Sequence, residues 1–368
     1  MDYLLPSWKG STVGKESTIH QLSPYLGKMK SQMANSLITT FSKPGDFICD
    51  PFSGSGTVAF EGWALGRRVF ANDLNPYAVC LTRAKLSPPR NLSDALTEFE
   101  NLQNIIAGSG ESIDLRTVPR WVRLFFNNET LREILVWRKF LLNEKSYFLL
   151  ACLLGILHHQ RPGFLSFPSS HAVPYLRNKK FPIHDYPELY TYRDVSSRLR
   201  KKIERAFRRV PNLDYTLSRT ISNEKAELLK LEDKVDLILT SPPYMRNLDY
   251  ARDNRLRLWM LGISEWEALD QRVSPDENAF LNVIQLCFQN WSEQVREGGH
   301  CILVVGNMES KNHKKQLPEL IVDLATAQNT KFQLAALFTE EIPQSRRIRR
   351  SYKGSIEETI IIFRRREQ

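Results

Sequence analysis

Apolar positions in this chain change period several times, and the changes predict alternating helices and strands. Met29 to Phe41 reads as a helix that Pro44-Gly45 ends. A short strand follows over Asp46 to Cys49, then a helix from Val58 to Leu65, a strand over Arg68 to Asn72 and a helix from Tyr77 to about Lys85. Ser87-Pro88-Pro89-Arg90 breaks the alternation, which lapses for more than a hundred residues. Helical periods return within that stretch at Ser93 to Ile106, Thr130 to Leu157 and Ser196 to Arg209, around an aromatic, proline-rich and basic run from His158 to Tyr192. The β/α alternation resumes with a strand at Leu217 to Ile221, a helix at Lys225 to Leu231 and a strand at Val235 to Leu239. Glu277 to Val295 predicts a helix stopped by Gly298-Gly299, and His300 to Val305 a buried strand. Gln316 to Ala327 predicts a helix, and Phe332 to Phe338 with Glu357 to Phe363 an antiparallel pair closing the sheet. Strands alternating with helices imply an α/β fold with a mostly parallel sheet.

Two strand ends carry candidate chemistry. Val235 to Leu239 runs into Thr240-Ser241-Pro242-Pro243-Tyr244, where paired prolines end the ladder and leave a stiff loop at the carboxyl end of the strand. Ser241 and the Pro242 carbonyl form a pair of acceptors there and Tyr244 a flat stacking face, a combination suited to an exocyclic amino group on a base. The other is Asp50-Pro51-Phe52-Ser53-Gly54-Ser55-Gly56-Thr57, a glycine turn between strand and helix, with Asp73 at the end of the next strand, where a ribose hydroxyl pair is commonly held. In a doubly wound sheet the first and fourth strands lie side by side where the order reverses, so the two loops should meet.

Charge singles out the middle of the chain. Residues 111–220 contain 20 Lys and Arg against 10 Asp and Glu, whereas the rest is balanced at 31 against 31. A neutral body with one basic section suggests a polyanion met by that section, and the Arg198 to Arg209 run is its densest part. The run Arg346-Arg347-Ile348-Arg349-Arg350 fits DNA contact and plain solvation equally, and Asp249, Tyr250 and Arg255 follow the proline loop closely enough to brace it or touch DNA. Five scattered cysteines without a Cys-x-x-Cys pair suggest reduced core residues, and His158, His159 and His171 lack the partners of a zinc site, so no metal is expected. With no run of eighteen apolar residues and no signal-peptide start, a soluble, cytoplasmic protein without a membrane partner is expected.

The motifs His20-x-x-Ser23-Pro24-Tyr25, Asp50-Pro-Phe-Ser-Gly-Ser-Gly-Thr57 and Thr240-Ser-Pro-Pro-Tyr244 together resemble those of S-adenosylmethionine-dependent DNA amino-methyltransferases, over residues 17–86 and 218–368. The resemblance implies a Rossmann-like, seven-stranded, mostly parallel sheet in two parts, residues 1–86 and 218–368, around an inserted, largely helical target-recognition region, 87–217. It implies S-adenosylmethionine as cofactor, with Phe52, Ser53, Gly54 and Gly56 lining it, Asp50 and Thr57 near its methionine end, and Asp73 with Leu74 at the ribose. His20, Ser23 and Tyr25 would pack around the methionine moiety and Glu224 would lie beside the adenine, although Asn223-Glu224 departs from the Gly-Asp usual there. Ser241, Pro242, Pro243 and Tyr244 would be the catalytic loop. Double-stranded DNA would be the substrate, its target base extruded and its phosphates met by Arg198, Lys201, Lys202, Arg205 and Arg208, and a cognate restriction endonuclease would be a further partner. Ser at the first loop position points to cytosine N4; adenine N6 is the alternative, followed by guanine N2 in RNA and an inactive DNA-binding fold. No cysteine follows a proline, which argues against methylation at ring carbon.

Overall fold

Buried strands that alternate between two apolar faces build one central sheet. The computed structural model describes residues 16–159, 161–168, 177–243, 250–273, 276–310, 312–341 and 357–367. The strands are β1 (Phe47–Asp50), β2 (Arg68–Asn72), β3 (Arg219–Ser222), β4 (Val235–Thr240), β5 (Val295–Gly306), β6 (Phe332–Glu341) and β7 (Glu357–Arg365), in spatial order β3-β2-β1-β4-β5-β7-β6. Neighbours from β3 to β5 are parallel, and β7 runs antiparallel to both β5 and β6. This is the seven-stranded, mostly parallel α/β sheet expected.

Along β1, β4, β5 and β7, successive side chains enter opposite layers, as the two-residue period of a strand requires. Ile48, Leu237, Leu239, Ile302, Val304, Ile360 and Ile362 pack with helix α1 (Ser31–Phe41), whereas Phe47, Cys49, Cys301, Leu303, Val305, Ile361 and Phe363 form the opposite layer. Helices α2 (Thr57–Ala64) and α3 (Pro76–Leu86) follow β1 and β2. Between α3 and β3 lie α4 (Leu92–Gly108), α5 (Arg120–Arg123), α6 (Asn128–Asn143), α7 (Tyr147–Ile156), α8 (Arg177–Lys180) and α9 (Val195–Ala206). Apart from α8, their apolar faces share one core with α2 and α3, through residues such as Phe60, Leu81, Leu154 and Leu199. After β4 come α10 (Tyr250–Asp253), α11 (Arg255–Met260), α12 (Trp266–Val273) and α13 (Glu277–Gln294), and α14 (Leu317–Ala325) lies between β5 and β6. The buried residues of α13, α14 and the second sheet layer form one cluster.

Three expectations are corrected. The helix read over Thr130 to Leu157 is two, α6 and α7, separated by a turn in which Lys145 adopts φ 54°. The helix read over Lys225 to Leu231 is a single 3-10 turn, Ala226–Leu228. Side chains of α13 account for this: Asn290 donates to the Glu227 and Leu229 carbonyls and Gln294 to the Leu229 carbonyl, taking acceptors a helix would use. Gly298-Gly299 do not stop the preceding helix. The Val295 N–H closes α13 on the Trp291 carbonyl, and the glycines lie inside β5, where the pairing with β4 shifts register. Among the described residues, no helix is long and apolar enough to cross a membrane.

Candidate functional site

β1 and β4 are neighbours, which brings the glycine turn beside the proline loop. One side chain joins them. The Thr240 hydroxyl donates to Asp50 Oδ1 (2.7 Å) and accepts from the Phe52 N–H (3.2 Å), so the last residue of β4 fixes both the last residue of β1 and the start of the loop beyond it. Gly54 and Gly56 adopt φ 50° and 71°, left-handed values that side chains disfavour. A Cβ on Gly54 would stand 3.1 Å from the Tyr25 ring, and one on Gly56 2.8 Å from the Thr82 hydroxyl. Both glycines are therefore needed for conformation and for close approach.

Asp73 stands at the end of β2 and organises the turn from the other side. Its Oδ2 accepts from the Gly54 N–H (2.7 Å) and its Oδ1 from the Asn75 N–H (2.8 Å). Burial pushes the Asp73 carboxyl up to about 6, against the pull of these backbone donors. Asp50 is pushed further, to about 7, by burial first and by the neighbouring Asp73 charge, against the opposing Thr240 bond. Asn72 carried no functional expectation, yet it staples three loops together: its Nδ2 donates to the Pro51 and Glu224 carbonyls, and its Oδ1 accepts from the Ser222 hydroxyl and the Glu224 N–H. A buried asparagine ending a strand beside an acidic residue is the only sequence signal for it.

Above these strand ends opens a cavity of about 510 Å³. Tyr25, Asp50, Phe52, Ser53, Gly54, Thr57, Asp73, Leu74 and Glu224 line it, and so do Ser241 and Pro243. Its outer wall, which sequence reasoning missed, comes from Gln271–Val273 of α12 and from Phe280, Val283 and Ile284 of α13. Three expected cofactor residues stand behind the lining. His20 is buried with Nε2 2.6 Å from Glu61 Oε1, while Glu61 Oε2 accepts from Asn35. The Ser23 hydroxyl meets the Tyr77 hydroxyl at 2.7 Å. Gly56 caps α2 against α3. Within the early motif, only the Tyr25 ring reaches the cavity, because His20 and Ser23 are spent on polar contacts that join α2 and α3 to the turn at Thr18–Gln21. Pro242 is buried beside Ser241, and Tyr244, Asp249, His171 and Arg346 to Arg350 lie outside the described residues.

The matched half of this site has a counterpart among known proteins. Residues 25–149 match the model of the D12 class N6 adenine-specific DNA methyltransferases. The chain is similar to DNA methyltransferases. It is 25% identical over 263 residues to the type II methyltransferase M.MvaI of Kocuria varians, covering 64% of this chain and 54% of that one. It is 32% identical over 74 residues to the type II methyltransferase M.MjaII of Methanocaldococcus jannaschii, covering 20% of this chain and 14% of the relative. The chain thus spans about half the length of the first of these relatives and a smaller part of the second. Among solved structures, TrmN from Thermus thermophilus aligns with a TM-score of 0.39 and 12% identity, over 95% of this chain and 53% of that one. The family match includes the glycine turn and Asp73 and stops well before Ser241.

The basic helix α9 divides its charges between two faces. Val195, Leu199, Ile203 and Ala206 are buried, leaving Lys201, Arg205 and Arg208 exposed in and just beyond the helix. Arg198 is half-buried and donates to the Asp194 carbonyl. Lys202 departs from the expected row: its stem lies against Gly155 of α7, and its ammonium donates to the Gln21 carbonyl at 2.5 Å. It sits one turn from both Leu199 and Ala206, on the border of the buried stripe, and is drawn into the packing. Among the described residues, no group of three or more His, Cys, Asp or Glu is placed to hold a metal.

Proposed function

We propose that this chain is an S-adenosylmethionine-dependent DNA methyltransferase acting on an exocyclic amino nitrogen of a base in double-stranded DNA. The observation that carries the reading is the junction of the two loops through Thr240, which puts a glycine-turn cavity and a Ser-Pro-Pro acceptor loop at one strand boundary. The residues present fit the cofactor. The Asp73 carboxylate accepts from the Gly54, Asn75 and Leu74 N–H groups and, with two lone pairs on each oxygen, keeps acceptor capacity for a ribose hydroxyl, and Asp50 offers a carboxylate in the cavity lining, where a positive charge would be favoured. When bound, S-adenosylmethionine supplies an electrophilic methyl group on sulfonium sulfur.

The chain's own groups act on the nucleophile. An aromatic amine is weakly nucleophilic because its lone pair is delocalised into the ring. Ser241 and the Pro242 carbonyl, accepting from its two hydrogens, localise that pair and aim it, so positioning and aligned dipoles perform most of the catalysis. Tyr244 stacks on the base once it has left the duplex. The helices between α3 and β3 form the target-recognition region, with Lys201, Arg205 and Arg208 as its phosphate contacts and Arg198 bracing α9. A restriction endonuclease recognising the same sequence is the partner this activity would serve.

Two target atoms fit, each carried by one observation. The family match names adenine N6, whereas Ser241 at the first loop position favours cytosine N4 and lies outside the matched residues. Nucleoside mass spectrometry of DNA from cells expressing the protein separates them. Either N6-methyladenine or N4-methylcytosine should accumulate with wild type and be lost with Ser241→Ala. Unmodified DNA from cells holding folded wild-type protein would refute the reading.

A further inference from the structure

A second concavity, of about 380 Å³, lies between α5, α11 and α12 and is lined by Trp121, Arg255, Trp259, Trp266 and Glu267 among others. Its volume falls in the roughly 300–1,000 Å³ range of small-molecule sites. Three of the chain's seven tryptophans face it, each half-buried, whereas Trp63, Trp137 and Trp291 are core residues. Trp121 and Trp259 meet edge to face at 6.5 Å, and the Arg255 guanidinium lies 4.7 Å from the Trp121 ring. A cage for a cationic ligand would not place a guanidinium over one of its own rings. The flanks are basic, since Arg120 and Arg123 are exposed on either side of Trp121 and its neighbour Val122. Aromatic faces bordered by arginines match a nucleic-acid strand, whose bases stack on tryptophan while its phosphates meet cations.

The groove is also tied to the cavity described above. Helix α12 begins at Trp266 and Glu267 in the groove and ends at Gln271–Val273 in the cavity wall. At 1.5 Å per residue, Trp266 and Gln271 are separated by roughly 7–8 Å along the helix, about two steps of a strand at ~3.4 Å each. Asp270 of the same helix accepts from the Ala251 N–H of α10 (2.9 Å), so α12 is anchored to the segment that follows the acceptor loop. We propose that this groove is a second DNA subsite, in which a base near the target base enters among Trp121, Trp259 and Trp266 and stacks on one of these rings with the others against its edges, while Arg120 and Arg123 meet the adjoining phosphates. The proposal rests on the DNA methyltransferase reading and adds to it a specific base-holding surface.

The test compares a mixed-sequence 12-nucleotide DNA strand with an abasic strand of equal length and charge, each titrated into the full chain and followed by anisotropy. Wild type should bind the base-bearing strand tighter by roughly 5- to 150-fold, the worth of a base–aromatic stack. The Trp121→Leu/Trp266→Leu variant should lose that preference and keep its affinity for the abasic strand, and Trp266→Phe should retain most of it. Equal binding of both strands by wild type, or an undiminished preference in a folded double variant, would overturn the groove. Should the double variant not fold, acrylamide quenching of wild-type tryptophan fluorescence decides. The base-bearing strand should shield the groove tryptophans and the abasic strand should not, and equal shielding counts against the proposal. S-adenosylmethionine calorimetry and methyl transfer to duplex DNA by wild type judge the enzymatic reading separately, because both are read with the groove intact, whatever it binds.

Discussion

The two carboxyls at the strand ends are where single residues set the behaviour of the site. Asp50 and Asp73 both hold protons in the fold to higher pH than the ordinary carboxylate value of 3.8. The folded chain therefore binds protons that the unfolded chain has shed, and the associated stability is full below about pH 4 and lost as pH rises through about 6 and 7. Asp50→Asn keeps an acceptor for Thr240 without the titration, so its stability relative to wild type should improve from pH 5 to about 7 and level off above that in cofactor-free protein. Thermal denaturation of both across that range is the check; a constant difference would mean that Asp50 is already ionised in the fold at pH 5. The roles of Gly54 and Gly56 were legible because strand–turn–helix context demands positive φ and close approach at that place. His20 and Ser23 were not separable from Tyr25 by spacing, since a motif records which residues occur together and not which of them turns toward the cavity. Asn72 was hidden for a similar reason: its four hydrogen bonds reach residues up to 152 positions away.

At the scale of elements, close contacts between helices decide what the basic region can do. Gly155 of α7 lies against the Leu22 carbonyl, which an added Cβ would approach to 2.0 Å. Gly155→Ala must push α7 away from the Thr18–Gln21 turn, and should destabilise the protein by roughly 1–3 kcal/mol despite the better helix propensity of alanine. Chemical denaturation measures this, and a variant as stable as wild type would show that α7 and the turn separate without cost. The exposed row on α9 gives a second expectation. Reversing Lys201, Arg205 and Arg208 to Glu should weaken binding to all DNA sequences and lower the log–log salt slope by about 0.9 for each phosphate no longer neutralised. An unchanged slope would make α9 a solvated face. The buried stripe of this helix was readable from its period, but the inward turn of Lys202 was not, because a lysine at the edge of a stripe has a stem long enough to go either way. The break between α6 and α7 was missed because Asn143-Glu144-Lys145 includes neither glycine nor proline.

The order of strands in the whole sheet followed from alternation for its parallel part, where each crossover helix forces the next strand to lie parallel. The placement of β7 between β5 and β6 had a fainter cue. Ile360-Ile361-Ile362-Phe363 is apolar on both faces, as an interior strand must be, whereas β6 shows alternating exposure with Leu334 and Leu337 more than 40% exposed, as an edge tolerates. That placement also has a consequence for how the molecule comes into being on the ribosome. β5 leaves the ribosome with one side open, and β6 emerges with no neighbour of its own in the finished sheet other than a segment not yet made. Until residues 357–365 are translated, two apolar strand edges are presented together to the cell, and β5 and β6 could pair directly in a sheet that lacks its interior strand. Synthesis pauses in this interval would favour misassembly or chaperone capture, and a chain released before β7 should be found with aggregates, not with the folded protein.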